Sequence, residues 1–377
     1  MKEEAVAAVG ELIVGDFSSV KTQSPSDASA QLEPLLFEPA RSNLLVEWNQ
    51  STGHLTVGYK TGEKWYQVIF SKKSINNTFS ILGFGVANAY GEDGTLIPIE
   101  NAKFKLKGNS VTDWLSPVMV EAISNGGADP IIYTSGSHGT DGASGGHPTA
   151  NSVLVQVYLD NMPFNLVRDF RMVSKTVKIL TVNHVRAYNT VSSNRSVLEE
   201  YFTIEINGSG IHISKRGLAL EPIKMLADNG CQMNMSGLTP TPLNTYLMFG
   251  ANQSKRRQMN SDAFNSGPLL SHPKVYGISI RHVSGTEFAS WIDPNFGVGN
   301  YSYVPDKLFA LRFRGKGKVY YRLFHISAPL TLQTGQHYSW RGGYYWGEST
   351  RTRAFDTILQ VQEGVLCVKP NGSYIVA

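Results

Sequence analysis

The chain has 377 residues, of which 41% are hydrophobic and 17% are charged, and its formal net charge is +4. This balance excludes an intrinsically disordered chain, and the mild positive charge does not require nucleic acid as a partner. The length suits one large all-β domain or two smaller domains.

Targeting and redox signals are sparse. No apolar run approaches the length of a membrane span, and residues 1–5 carry acidic groups where a secretory signal has basic ones. Two cysteines, Cys231 and Cys367, are too few for a disulfide framework. We predict two buried reduced thiols, with a single disulfide as the alternative. We expect no signal peptide and neither a membrane nor a nucleic-acid partner.

The first 40 residues predict an arm outside the main domain. Residues 2–13 have helical periodicity, with apolar side chains on one side. Residues 16–33 are rich in Ser, Gln, Asp and Pro, a composition typical of linkers. We predict a short N-terminal helical arm over residues 1–40, which either packs on another subunit or frays.

Strand patterns dominate from residue 41 onward. An Asn-Gly turn at 207–208, between the apolar segments 200–206 and 211–213, is a strong hairpin signal. Many short strands with a turn every 8 to 12 residues or so are typical of β-sandwiches. We predict an all-β fold with one large, jelly-roll-like β-sandwich over residues 41–377 and a possible subdivision near residue 230.

A glycine-rich loop over residues 133–149 contains two histidines. His138 and His147 flank Asp141, but their spacing matches no zinc motif, so we predict no metal or other cofactor. A metal ion wrapped by the loop is the less favoured alternative. Glycines allow the backbone to approach a ligand closely. We predict a mobile loop with Tyr133 as a substrate-binding residue and His138 as a catalytic residue.

The segment after this loop suggests proton-transfer chemistry. Alternate strand residues share a face, so His184, Arg186 and Tyr188 are predicted to project together. β-Elimination on a uronate polysaccharide requires a group that neutralises the carboxylate, a base for the C5 proton and an acid for the leaving oxygen. Arg186 suits the first task, His184 or His138 the second, and Tyr188 or Tyr201 the third. An exposed polar face without chemistry is the alternative.

Two further groups extend the predicted binding surface. Glu205 shares a strand face with Tyr201, and hydrolysis of a glycosidic bond would pair it with a second carboxylate. Arg168 is a further substrate-binding candidate. A C-terminal block interleaves aromatic residues with arginine, as sugar-binding surfaces do. Its substrate-binding candidates are Trp340, Arg341 and Tyr344. Alternation places Tyr338 and Trp340 on one face and His337, Ser339 and Arg341 on the other, so one face suits the core.

Several motifs resemble those of bacteriophage and prophage tail-associated proteins, over about residues 40–350. They are Asp-Trp-Leu-Ser-Pro at 113–117, Thr-Ser-Gly-Ser-His-Gly at 134–139, Leu-Glu-Glu-Tyr-Phe-Thr-Ile-Glu at 198–205 and Gly-Gln-His-Tyr-Ser-Trp-Arg-Gly-Gly-Tyr-Tyr at 335–345. The resemblance implies a receptor binder or depolymerase for host-surface glycans, virion-associated or extracellular after lysis, and by analogy a homo-oligomer. It implies roles for His138 and for the block 340–342, whereas His147 departs from the pattern.

Together these features predict a carbohydrate-active protein whose partner is a polysaccharide, with an anionic polysaccharide favoured. The favoured function is a polysaccharide lyase that cleaves an acidic bacterial polysaccharide by β-elimination. The alternative is a non-catalytic phage tail or receptor-binding protein that recognises a host glycan, and glycoside hydrolysis ranks third.

Overall fold

The structure is a computed structural model, and it describes two parts of the chain. The first part is residues 43–108, 113–143, 145–208 and 210–236. The second part is residues 245–249, 257–258, 270–272, 277–292, 308–313, 316–324, 326, 328–348, 361–362 and 365–366. Two predicted features lie outside these residues: the helical arm over residues 1–40, and the thiol of Cys367. The domain boundaries stay predictions.

The described residues form β-strands and two short 3₁₀ helices, Ile99–Asn101 and Tyr188–Thr190. The first strands are β1 Leu44–Asn49, β2 His54–Thr61, β3 Lys64–Lys73, β4 Thr78–Asn88, β5 Lys105–Gly108, β6 Val118–Ala122, β7 His138–Gly139, β8 Gly142–Ala143 and β9 Ala150–Leu159. The next are β10 Met162–Phe164, β11 Phe170–Ser174, β12 Val177–Arg186, β13 Ser196–Asn207, β14 Gly210–Ala219, β15 Ile223–Asp228, β16 Met233–Ser236, β17 Thr245–Phe249 and β18 Arg257–Gln258. The last are β19 Leu270–His272, β20 Gly277–Arg281, β21 Thr286–Ile292, β22 Leu308–Phe313, β23 Lys316–Tyr321, β24 Leu330–Leu332, β25 His337–Glu348, β26 Val361–Gln362 and β27 Val365–Leu366.

Two large antiparallel sheets dominate the fold. One has six strands in the order β11-β1-β2-β3-β4-β5, and the other has ten in the order β10-β9-β12-β13-β14-β25-β21-β20-β17-β18. Smaller sheets join β24-β15-β6, β16-β23-β22-β19, β26-β27 and β7-β8. No helix among the described residues has the length and apolar character needed to cross a bilayer.

The main core lies between the two large sheets. Alternate residues of β12, including Ile179 and Val185, pack in one apolar cluster with residues of the six-stranded sheet such as Leu55 and Phe84. Burial of such side chains stabilises the fold by roughly 1.5–3 kcal/mol each. The predicted all-β sandwich is thereby confirmed. Cys231 is a free, fully buried thiol in this core, and burial raises its pKa well above the ordinary value.

A charged triad is embedded in this core. The Lys215 ammonium lies 2.7 Å from a Glu200 carboxylate oxygen and 2.8 Å from one of Asp228, and all three side chains are fully buried. Burial alone would lower the pKa of Lys215, but the two carboxylates raise it. Asp228 also accepts hydrogen bonds from the Tyr338 hydroxyl at 2.9 Å and the Trp340 indole at 3.1 Å. Removing one member of such a triad would leave an uncompensated buried charge.

Candidate functional site

The ten-stranded sheet has a second face, directed away from the main core, which we call the outer face. Leu180, Val182 and Tyr201 form a separate apolar cluster there, and Leu154, Tyr158 and Leu218 pack against it. The strand period of two explains this division, because even-numbered residues of β12 and odd-numbered residues of β13 point outward. The outer face therefore presents a second set of side chains, and several of them are polar.

Four polar residues of neighbouring strands form the outer-face cluster: His184, Glu199, Tyr201 and Arg216. His184 pairs in register with Glu199, and Tyr201 pairs with Arg216. The His184 Nε2 atom lies 2.9 Å from Glu199 Oε1, and the Tyr201 hydroxyl donates a hydrogen bond to Glu199 Oε2. One carboxylate thus holds an imidazole and a phenol side by side.

Burial differs across the outer-face cluster. The side chains of His184 and Glu199 are 37% and 21% exposed, whereas Tyr201 and Arg216 are 6% and 8% exposed. Burial, together with the hydrogen bond to Glu199 and its charge, raises the pKa of Tyr201, although Arg216 opposes the shift. Tyr201 therefore keeps its proton at neutral pH and is a proton donor.

The same face continues onto β25 and β21. Arg341 lies opposite Ser214, and Gly343 lies between His212 and Trp291 in register. The His212 and Trp291 rings are 5.8 Å apart. Burial and the Arg341 charge lower the pKa of His212 to about 3, so this imidazole is neutral at physiological pH. The outer face thus combines two guanidinium groups with aromatic and imidazole rings.

The predicted grouping of His184, Arg186 and Tyr188 is wrong for Tyr188. Strand β12 ends at Arg186, and Tyr188 begins a 3₁₀ helix, so strand alternation no longer sets its direction. Burial and the charge of Glu121, on β6, raise the pKa of Tyr188. His184 instead has Glu199 as its neighbour.

Arg186 has a structural partner at the end of the glycine-rich loop. Its guanidinium donates a hydrogen bond to the Pro148 carbonyl, and its backbone N–H donates to the Thr149 carbonyl at 2.9 Å. Burial lowers the pKa of Arg186. The arginine that lies beside Tyr201 is Arg216, so the charge-neutralising role predicted for Arg186 suits Arg216 better.

Trp340 and Tyr344 are core residues, which corrects their prediction as substrate-binding residues. They are 0% and 1% exposed. Trp340 donates to Asp228, and the Tyr344 hydroxyl donates to the Gln232 carbonyl at 2.7 Å. Alternation along β25 directs both toward the main core, whereas Arg341 points to the opposite face as predicted.

Glu205, the carboxylate proposed for hydrolysis, is not paired with Glu199. Glu205 is exposed and lies 3.5 Å from Lys178. On the same face of β13, Glu199 is six residues away, which is roughly 20 Å in an extended strand. Glycosidase carboxylates lie about 5–10 Å apart. Arg168 is exposed in the segment between β10 and β11.

The glycine-rich loop is anchored by hydrogen bonds from side chains of other segments. The Asn76 amide donates to the carbonyls of Gly136 and His138, both at 2.9 Å, and accepts from the Thr149 N–H at 2.7 Å. The Ser135 hydroxyl donates to buried Glu200 at 2.5 Å. The loop is therefore anchored on the core side of β13.

His138 has a different carboxylate partner from His184. Its Nε2 atom lies 3.3 Å from Asp113 Oδ2, and its ring lies 5.6 Å from that of Tyr133. His138 and His184 were predicted as alternative bases of one reaction. Ser135 of the loop contacts Glu200 and His184 contacts Glu199, and these are consecutive residues on opposite faces of β13. Within the described part of the chain, no group of three or more His, Cys, Asp or Glu side chains is placed to hold a metal ion.

Sequence reasoning overlooked three of the residues that matter here. Glu199 lies two residues before Tyr201 and so shares its face. Arg216 faces Tyr201 because the 207–208 turn sets the hairpin register, and both signals were present in the sequence. Asp113 has no such signal, because it is 25 residues from His138 and only the fold brings them together.

Comparisons with known proteins give a distant likeness. No family model matches the sequence, and no curated protein is similar to it. Among solved structures, the galactosidase domain of α-galactosidase-sucrose kinase AgaSK has a TM-score of 0.43 at 8% identity, over 80% of this chain and 42% of that one. This chain thus spans less than half of that protein.

Two smaller proteins are matched over nearly their whole length. A galactose mutarotase-like protein from Clostridium acetobutylicum has a TM-score of 0.40 at 8% identity, over 82% of this chain and 99% of that one. A putative aldose 1-epimerase from Escherichia coli K12 has a TM-score of 0.38 at 8% identity, over 78% of this chain and 100% of that one. At these identities and TM-scores, the likeness assigns no function to this chain.

Proposed function

We propose that this protein is carbohydrate-active and binds a saccharide on the outer face of its ten-stranded sheet. The observation that supports this most is the outer-face cluster, in which one carboxylate bridges an imidazole and a phenol next to a guanidinium. In its specific form, the proposal is a polysaccharide lyase that acts on an anionic polysaccharide by β-elimination.

Each member of the cluster suits one step of that reaction. Arg216 pairs with the uronate carboxylate, which acidifies the C5 proton. His184 is held at Nε2 by Glu199, so its Nδ1 atom is the base that takes this proton. The C5–H electrons form the C4–C5 double bond as the C4–O bond breaks, and Tyr201 protonates the leaving oxygen. Glu199 contacts both side chains and holds them in place. The His184 imidazolium then loses its Nδ1 proton to solvent and the Tyr201 phenolate takes a proton from solvent, which returns both groups to their starting forms.

A glycan-binding protein without catalysis is the second candidate. It is favoured by the low exposure of Tyr201 and Arg216, which limits the approach of a sugar ring to the proposed acid. On the motif resemblance alone, we also propose that the protein is tail-associated, virion-bound or released by lysis, and homo-oligomeric.

The test is incubation with a panel of uronate polysaccharides while the ultraviolet absorbance of an unsaturated uronate is followed. We expect the wild type to form the unsaturated uronate. In His184→Gln and Arg216→Lys, the rate of its formation should fall by about 100-fold or more. Matched controls on the six-stranded sheet, His54→Gln and Arg171→Gln, should retain the rate. Binding without the chromophore would replace the lyase with the glycan-binding protein, and chain shortening without it would indicate hydrolysis.

A further inference from the structure

The glycine-rich loop contains a second, separate arrangement of proton-transfer groups. His138 is 27% exposed, and its Nε2 atom faces the carboxylate of Asp113, which is 5% exposed. The outer-face cluster does not use either residue. The two arrangements lie on opposite sides of β13, because Ser135 of this loop contacts Glu200, whereas His184 contacts Glu199.

Asp113 is held so that one oxygen is left for the histidine. Its Oδ1 atom accepts hydrogen bonds from the backbone N–H and the hydroxyl of Ser137, both at 2.7 Å, and lies 3.7 Å from the Lys73 ammonium. Burial alone would raise the pKa of Asp113, but the hydrogen bond from His138, the Lys73 charge and Ser137 lower it. The ionised carboxylate therefore accepts a proton-bearing Nε2, which leaves the Nδ1 atom of His138 as a proton acceptor.

The backbone around the dyad is fixed in a costly conformation. Ser135 has a φ of 67°, which is uncommon for a residue with a side chain, and Gly136 follows with a φ of 54°. A Cβ atom at Gly136 would lie 2.8 Å from the Asp113 carboxyl carbon. Strained residues of this kind cluster at functional sites, where the surrounding structure maintains them.

A phenol ring lies beside the His138 imidazole. The half-buried Tyr133 ring is tilted by 46° against the His138 ring, and the Asn229 amide approaches the Tyr133 hydroxyl at 3.5 Å. Burial and the nearby Tyr133 and Asp113 raise the pKa of Tyr320. A ring face, the Tyr133 hydroxyl and an acceptor nitrogen match the apolar faces and hydroxyl groups of a sugar or another cyclic polyol.

We propose that His138, Asp113 and Tyr133 form a second ligand site that binds a sugar ring or similar polyol, with a ligand hydroxyl donating a hydrogen bond to His138 Nδ1. This site does not depend on elimination at the outer face.

The test is nitrogen-15 NMR of the histidine side chains in the full-length protein, with the His138 signal assigned by its loss in His138→Gln. At mildly alkaline pH, we expect His138 to carry its proton on Nε2. Titration with glucose, galactose and N-acetylglucosamine should then shift this signal in a saturable manner for at least one sugar. Tyr133→Leu should weaken that binding by at least roughly tenfold, as removal of a stacking ring does.

Controls separate this site from the general surface and from the outer face. His147→Gln, in the same loop but exposed, should leave the titration unchanged. Asp113→Asn tests the dyad directly, and Ser137→Ala does so without removing the buried charge. A proton on Nδ1, no response to any of the sugars, or a response confined to His184 would overturn the proposal. Elimination is measured by a different product, so either proposal can fail while the other survives.

Discussion

At the scale of single residues, the molecule uses neighbouring glutamates for opposite purposes. Glu199 is partly exposed and joins His184 to Tyr201, whereas Glu200 is fully buried and pairs with Lys215. The chemical type of a residue does not separate these roles. The face of the strand does, because consecutive side chains point to opposite sides of a sheet.

The phenol of Tyr201 provides a prediction at this scale. Tyr201→Phe removes the proposed acid while keeping the ring, so we expect the elimination rate to fall by about 100-fold or more. The free energy of unfolding should change by only about 1 kcal/mol, the usual net value of one hydrogen bond. Steady-state kinetics and urea unfolding measure the two effects. Tyr158 packs against the same apolar cluster, so Tyr158→Phe should leave the elimination rate and the free energy of unfolding nearly unchanged. An active Tyr201→Phe would remove Tyr201 from the mechanism.

At the scale of elements, the glycine-rich loop depends on its contacts with Asp113 and Asn76. Gly136→Ala forces a side chain into a φ of 54° and against the Asp113 carboxyl. We expect it to destabilise the fold by about 1–3 kcal/mol, measured by urea unfolding. Gly53→Ala is the matched control, because its φ of 65° is similar and no atom lies within 4 Å of the added Cβ. Equal costs for the two variants would show that the Asp113 contact does not matter.

Local patterns predicted individual elements better than their partners. The alternation of β25 correctly separated Tyr338 and Trp340 from Arg341, and the 207–208 turn correctly indicated the β13–β14 hairpin. Those features depend on residues that are close in the chain. The error at Tyr188 arose because alternation was extended beyond the end of β12 at Arg186.

The rest of the site depends on contacts between distant segments. Asp113 meets His138 only because the chain before β6 and the glycine-rich loop are both held against the sandwich. The Asp228 partners Tyr338 and Trp340 are likewise more than 100 residues away in the chain, at separations of 110 and 112. No spacing or periodicity in the sequence encodes such meetings, so the contacts of Asp228 with Tyr338 and Trp340 and the His138 dyad could not be predicted from it.

At the scale of the whole molecule, His212 should make the fold sensitive to acid. Its pKa is about 3 when folded and 6.5 as the reference value, so the folded state binds fewer protons between these limits. Its contribution to stability is present above pH 6.5 and is lost as the pH falls toward 3, by about 1.4 kcal/mol per pH unit. Urea unfolding across this range should show a shallower pH dependence in His212→Gln. A variant that keeps the wild-type slope would assign the acid sensitivity to other groups.

The buried triad also has a consequence for how the sheet is assembled. If β13 were paired one position out of place, Glu199 would turn inward and Glu200 outward, and Lys215 would lose its counter-charge. A chain with this wrong register would bury the Lys215 ammonium and the Asp228 carboxylate in the apolar core without Glu200 beside them. The triad therefore favours a single register of β13. The same register brings His184, Tyr201 and Arg216 together on the outer face.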